Sequence, residues 1–224
     1  MSLNLIDINR VKEKLSEAFA KDDSSIGYLA LCASTLEYPQ LDISFEMKSL
    51  EELANVACRR LAIEKGDLAK INILSEYLFD EVGFSGDTVD YYNPKNSYLH
   101  LVMRRRMGIP LLLSILYMDV AHNVGIKCLG IGSPRHFLVS APLEDEWVYI
   151  DTFNNGVIME EVETKTFLTK MLPKDQSWQG TFLDPVSKRE IISRIYRNLK
   201  HVYLTSNQLE KAYSVIDLLV WLQP

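Results

Sequence analysis

From Pro110 to Ala121 the chain reads Pro-Leu-Leu-Leu-Ser-Ile-Leu-Tyr-Met-Asp-Val-Ala, a helix-length run with almost no polar face. A helix that is apolar all round in its first two turns must be covered on every side, so this one is expected at the centre of the fold. Gly108-Ile109-Pro110 interrupts the preceding helix, Pro110 occupies the first turn, where proline is best tolerated, and Gly125 marks the stop. With 224 residues, 47% of them hydrophobic, there is enough chain to supply that cover within one large domain, or a domain with a small appendage.

The remaining segments divide by period. Residues 8 to 82 read as a helical layer. Leu15, Ala18 and Phe19 lie at helical spacing, followed by Leu29, Leu31 and Cys32. Ser49-Leu50-Glu51-Glu52 reads as a capping box opening the stripe Leu50, Leu53, Ala54, Ala57, Cys58, Leu61, and a further helix runs from Leu68 to about Gly83. A loop with Tyr91-Tyr92-Asn93-Pro94 follows, and Asn96 is expected to cap a helix over 97–107. After the central helix the period becomes two. Ile126 to Ile131, His136 to Ser140 and Trp147 to Asp151 predict three strands in a meander, hence an antiparallel sheet packed on helices, the α+β class. A helix near Val162 to Met171 comes next, and a second capping box at Ser187-Lys188-Arg189-Glu190 opens a helical pair. Leu199, Tyr203, Ala212, Ile216, Leu219 and Pro224 fit the spacing of a tetratricopeptide unit, although an ordinary helical hairpin would also place Ala at a tight crossing. The expected division is 1–186 for the main domain and 187–224 for the helical pair.

Several function classes are excluded or narrowed. A net charge of −6 gives no global positive field, so nucleic acid and anionic membranes are not the expected partners. No apolar run approaches the roughly 20 residues of a membrane span, and no leader pattern precedes residue 14, so a cytoplasmic location is expected. Cys32, Cys58 and Cys128 stand alone, each read as a small core residue; no disulfide, metal or cofactor is expected. His100, His122 and His201 read as surface residues.

The segments Gly83-Phe84-Ser85-Gly86, Tyr91 to Leu99, Arg104 to Pro110, Gly132 to Val139 and Tyr149 to Asn154 together resemble the SirB-type family of transglutaminase-like proteins over roughly residues 25 to 224. Asp87 stands where that family is expected to carry Asn, and Asn155 where it often carries Gly. The resemblance implies a papain-like core: a central helix whose amino end bears a nucleophilic cysteine, packed on a sheet that brings a histidine and an aspartate to it. His136 and Asp151 are the implied base and orienting carboxylate, joined through Nδ1, with the antiparallel strands returning them to one edge. The implied cysteine position holds Pro110, with neither a reactive atom nor a backbone N–H. Ser114 lies one helical turn deeper and is a weak substitute; a hydroxyl bonded back to the helix carbonyls is the plainer role. Without the thiol, His136 and Asp151 read either as a structural pair or as part of a hydrolase or acyltransferase using Ser114 or water.

The first expectation is therefore a non-catalytic domain that binds a protein partner through its carboxyl-terminal helices, with homo-oligomerisation open and the old cleft closed or nearly so. Leu218 and Trp221 are expected on the contacting face. Lys188, Arg189, Arg194, Arg197 and Lys200 offer a surface for an acidic partner. Arg104 and Arg105 are expected near the site, one of them paired with Asp87 or Asp90.

Overall fold

The structure, a computed structural model, describes residues 7–64, 66–144 and 146–223. Helix α6, Pro110–Asn123, is central, with every residue from Pro110 to Ala121 buried. Three layers cover it. On one side lie α2 (Ile26–Ser34) and α3 (Ile43–Leu61), on another the sheet, and on a third α8 (Lys188–Thr205). Each leucine so enclosed contributes about 2 kcal/mol of transfer free energy, and one continuous cluster of buried side chains joins all of these elements.

The amino-terminal layer is helical: α1 (Ile8–Phe19), α2, α3 and α4 (Asp67–Ser75), the last running on into a π-helical turn at Glu76–Glu81. Ser49 does not open α3. That helix starts seven residues earlier at Asp42, whose Oδ1 accepts the Phe45 amide at 3.0 Å, while the Ser49 hydroxyl donates back to the Phe45 carbonyl. Cys58 is exposed on α3, unlike Cys32, because it falls just off the buried stripe Leu50, Ala54, Ala57, Leu61.

The sheet has four antiparallel strands in sequential order: β3 (Leu129–Ile131), β4 (Leu138–Pro142), β5 (Trp147–Asp151) and β6 (Val157–Glu160). Val139 pairs with Ile150, and Tyr149 with Met159. The fourth strand adds to the expected meander; its turn from Asp151 uses Asn155 and Gly156 at φ 56° and 69°. Asn is the non-glycine residue that best tolerates this region, which accounts for its standing in for Gly. Val139, Ala141, Val148 and Ile150 face the α6 side, whereas Leu138 and Tyr149 pack with Leu168 of α7 (Glu161–Met171) on the other face.

Two short parallel strands, β1 (Ser85–Gly86) and β2 (Met107–Gly108), tie the loop before α5 (Leu99–Arg105) to the head of α6. Asn96 does not cap a helix. It is fully buried in a 3₁₀ turn at Pro94–Ser97, and its amide group donates to Asp87 and to the carbonyls of Asp90 and Tyr91.

The carboxyl-terminal pair, α8 and α9 (Leu209–Leu222), belongs to the same core as the rest. Ile192, Tyr196 and Leu199 of α8, with Leu218 and Leu222 of α9, are buried in it. Ser187 caps α8 by accepting the Glu190 amide at 3.2 Å. Lys12 on α1 pairs with Asp217 on α9 at 2.7 Å, and the Arg189 guanidinium sits over the rings of both Phe19 and Trp221. Pro224, the closing proline of the repeat spacing, lies outside the described residues. Among the described residues no helix is long and apolar enough to cross a membrane.

His100 is buried rather than on the surface: it sits on the inward face of α5 against Tyr38, with Nδ1 unpartnered. Burial, with Arg104 one turn on, pulls its pKa down to about 4. The unfolded chain, with an ordinary histidine near 6.5, then takes up the proton first, so stability is full above pH 6.5 and falls as the pH drops toward 4. Urea unfolding should show a loss of about 2 kcal/mol between pH 7.5 and pH 5 from this group. His100→Phe should flatten that slope; an unchanged slope would mean that the ring is already solvated in the native state.

Candidate functional site

A cleft of about 750 Å³ opens at the head of α6. Ile109, Pro110 and Leu111 form its floor, and the turn at Ser133–His136, Phe153, Asn154, Phe167, Tyr91 and Arg194 of α8 contribute to its walls. The cleft is open, contrary to the closed remnant expected from the loss of the nucleophile. Aromatic side chains hold it apart. Tyr91 meets Phe153 edge to face at 5.9 Å, and the His136 ring lies between Phe153 at 6.4 Å and Phe167 at 5.5 Å. Gly86 is required here, since a Cβ would fall 2.5 Å from the Phe153 ring.

His136 stands two residues before β4, in a turn fixed from both sides. The Ser133 hydroxyl donates to the Phe182 carbonyl at 2.7 Å, and Arg194 Nη2 donates to the carbonyls of Ser133 and His136, each at 2.6 Å. The imidazole is 4% exposed, with Nε2 standing 3.0 Å from Asp151 Oδ1. It is a close electrostatic contact in which the N–H is not aligned on the oxygen. The nitrogen facing Asp151 is thus Nε2, not Nδ1; the strand ends bring the ring in with its far edge toward the carboxylate. Asp151 is also the anchor of the β5–β6 turn. Its Oδ1 accepts the amides of Phe153 and Asn154, and its Oδ2 accepts the Asn154 side chain at 2.7 Å. Burial raises the carboxyl pKa, and His136 and Asn154 together more than offset this, leaving it below the ordinary carboxylate value.

Pro110 lines the same cleft as His136, and among the described residues that line it there is no cysteine, serine or threonine. Ser114 does not reach it. Fully buried, its hydroxyl is 2.8 Å from that of Thr152, so it is bonded across to the sheet and not back to the helix carbonyls.

Arg105 braces the loop beside the head of α6, whereas Arg104 is turned to α3. Arg105 donates to Asn96 Oδ1 at 2.6 Å and to Asp87 Oδ2 at 3.2 Å, while Arg104 pairs with the buried Glu46 on α3. Asp87 Oδ1 accepts the Asp90 amide at 2.8 Å, and that bond, with those from Asn96 and Arg105, outweighs burial and lowers its pKa. Neither arginine lines the cleft.

The expected contacting residues of α9 are placed differently. Leu218 is 0% exposed and Trp221 is half-buried beneath Arg189. The outward stripe of α9 is Leu209, Tyr213, Ile216 and Val220, with Tyr213 75% and Val220 65% exposed. A helix with apolar residues almost all round gives no sequence cue to which stripe the core takes. The basic residues of α8 do not form one surface either: Lys188 donates to the Ser24 carbonyl, Arg189 covers Phe19 and Trp221, and Arg194 turns inward to the cleft. Arg194 and Arg135 are the cleft residues whose role the sequence hid. Arg194 looks like any charge on an amphipathic helix; Arg135 lay within a recognised motif and only its φ of 61° sets it apart.

A sequence profile of the transglutaminase-like superfamily matches residues 46–197, the span that contains α6, the sheet, His136, Asp151 and most of the first long helix after them. The chain is 32% identical over 212 residues to a UPF0162 protein of Xylella fastidiosa strain 9a5c, covering 91% of this chain and 74% of that protein. It is 27% identical over 202 residues to a UPF0162 protein of Vibrio cholerae, covering 87% and 72%. F-box only protein 21 of Mus musculus is 36% identical over 94 residues, which are 38% of this chain and 15% of that protein. No solved structure is a significant match. A helix buried on all sides, the sheet against it and the profile spanning both place this chain in the transglutaminase-like superfamily, with the UPF0162 proteins among its relatives.

Proposed function

We propose that the chain is a SirB-type, non-catalytic member of this superfamily that works by binding a protein partner. The observation that carries this is that Pro110 lines the same cleft as His136 at the head of α6. Pro110 supplies neither an attacking atom nor an N–H for a developing oxyanion, and Ser114, the nearest hydroxyl on α6, is fully buried against Thr152. What remains is an open, aromatic-lined concavity on a rigid frame, the form of a binding site. The outward stripe of α9 supports a second contact surface, with α8 and α9 acting as a tetratricopeptide-like unit. A hydrolase or acyltransferase that activates water with His136 and Asp151 is the second reading, favoured by the 3.0 Å contact between them and the open cleft.

Thiol- and serine-directed activity probes decide between the two. In a Cys58→Ser background, which removes the exposed thiol, the non-catalytic reading expects no labelling, and labelling that disappears in His136→Ala would establish the second. In the same background, Pro110→Cys should give a thiol beside His136 at the positive end of α6. Its alkylation should titrate at least one unit below the ordinary value of about 8.5. An ordinary titration would show that position 110 is not the nucleophile position.

The face of α9 has its own test. Leu218→Ser should cost about 3 kcal/mol in urea unfolding, as a large-to-small change in the core. Tyr213→Ser with Val220→Ser should cost no more than about 0.5 kcal/mol for each change and should abolish self-association or capture of a partner bound through this face. A large stability loss in the double variant would place the stripe inside the fold. Truncation before residue 187 is not a usable alternative, because it strips Ile192, Tyr196 and Leu199 from the core.

A further inference from the structure

The ionisable side chains lining the cleft, the two tyrosines apart, are Arg135, His136, Arg194 and His201, and no aspartate or glutamate is among them. In a chain of net charge −6 this is a local reversal of sign. Arg194 is the centre of it. Its Nη2 is committed to the carbonyls of Ser133 and His136, and its guanidinium lies over Phe137 at 5.5 Å. Among the described residues no carboxylate lies within 4.0 Å of Arg194 or of Arg135. Burial, with Arg197 nearby, lowers the Arg194 pKa, and the opposing influence of Tyr91 and Glu190 does not offset this.

Arg135 adds a second charge from an unusual position. It sits at φ 61°, where Gly or Asn is the easy choice, and its side chain lines the cleft with only a 3.5 Å contact to the Met171 carbonyl. Facing these charges is an apolar wall of Tyr91, Phe153, Phe167 and Met171.

We infer that the cleft binds a peptide carboxylate, taken by Arg194 and Arg135, with the neighbouring apolar side chain of the peptide against the aromatic wall. This rests on the non-catalytic reading of the cleft and names its ligand class. The planar guanidinium fork matches a carboxylate, and a half-buried arginine with no carboxylate within ion-pair distance is where such an anion gains most. A polyanionic strand fits less well, because it needs a track of cations and approaches a protein that is negative overall. The volume of about 750 Å³ suits a ligand of drug-like size, here two or three residues. The carboxylate has two possible sources, an acidic side chain or the end of a chain.

The test is an NMR titration of the full chain with three probes: N-acetyl-Phe-Glu amide, N-acetyl-Phe-Leu with a free carboxyl terminus, and N-acetyl-Phe-Gln amide. At least one of the acidic probes should give saturable shifts confined to residues 133–137 and 153–154, at an affinity at least tenfold above that of the glutamine probe. Which acidic probe binds identifies the source. Arg135→Asn, chosen because Asn tolerates that backbone, should weaken the binding about fivefold or more with the thermal transition unchanged. Arg194→Gln should abolish it. Equal binding of the glutamine probe, the absence of site-confined shifts with both acidic probes, or undiminished binding by Arg135→Asn would overturn the inference. Mass spectrometry of the same samples keeps the two claims apart. Cleavage of a probe counts against the non-catalytic reading alone, and the ratio of acidic to neutral binding then still decides the anion assignment.

Discussion

The enclosure of α6 is the constraint on which the other elements depend. A helix with no polar side in its first two turns cannot rest at a surface, so the chain must surround it, and it does so with material from both halves of the sequence. Polar groups carried into that environment find partners, although Asp119 keeps one buried carboxylate oxygen, Oδ2, without a hydrogen bond. The Asp119 carboxylate accepts the Gly27 amide at 2.9 Å, Tyr117 shares a hydroxyl contact with Ser75, and Ser114 meets Thr152. These cross-links fix how α6 is rotated, and hence which of its residues face the cleft.

The cleft keeps its shape because its frame is built from packing and hydrogen bonds away from position 110. Asp151 is fully engaged in building a turn, the His136 turn is clamped by Arg194 and Ser133, and the Asp87, Asn96 and Arg105 network braces the loop beside the head of α6. Pro110 lies on the floor and takes no part in these supports of the walls. The cleft expected to be closed or nearly closed is open for this reason: its walls are held by packing.

What was legible in the sequence follows the strength of the local signal. The apolar run after Pro110, the β-rich segments and the Ser187 cap each present one dominant pattern, and each marks an element close to its place. Other features were set by competition between patterns. Ser49 carries a capping signature but lies inside a longer helix already started at Asp42, and Asn96 serves a loop because three acceptors surround its amide. His100 could not be distinguished from a surface histidine by spacing, since it is enclosed by rings from outside α5, Tyr38 in the loop after α2 among them. The same holds for Arg194, whose role is defined by a turn some 60 residues earlier.

The contact between α1 and α9 carries a consequence for how the molecule is made. The side of α1 bearing Lys12 and Phe19 is completed by Asp217, Trp221 and Arg189, which follow it by nearly the whole length of the chain. At about 5–20 residues per second on the ribosome, α1 waits roughly 10–40 s for the helix that closes over it. Until then the amino-terminal layer has a seam open to solvent, so this side of the fold closes only when α9 emerges. Closure of this seam is therefore late relative to the synthesis of α1, and a chaperone that shields α1 in the interval would be guarding a site that the folded domain hides.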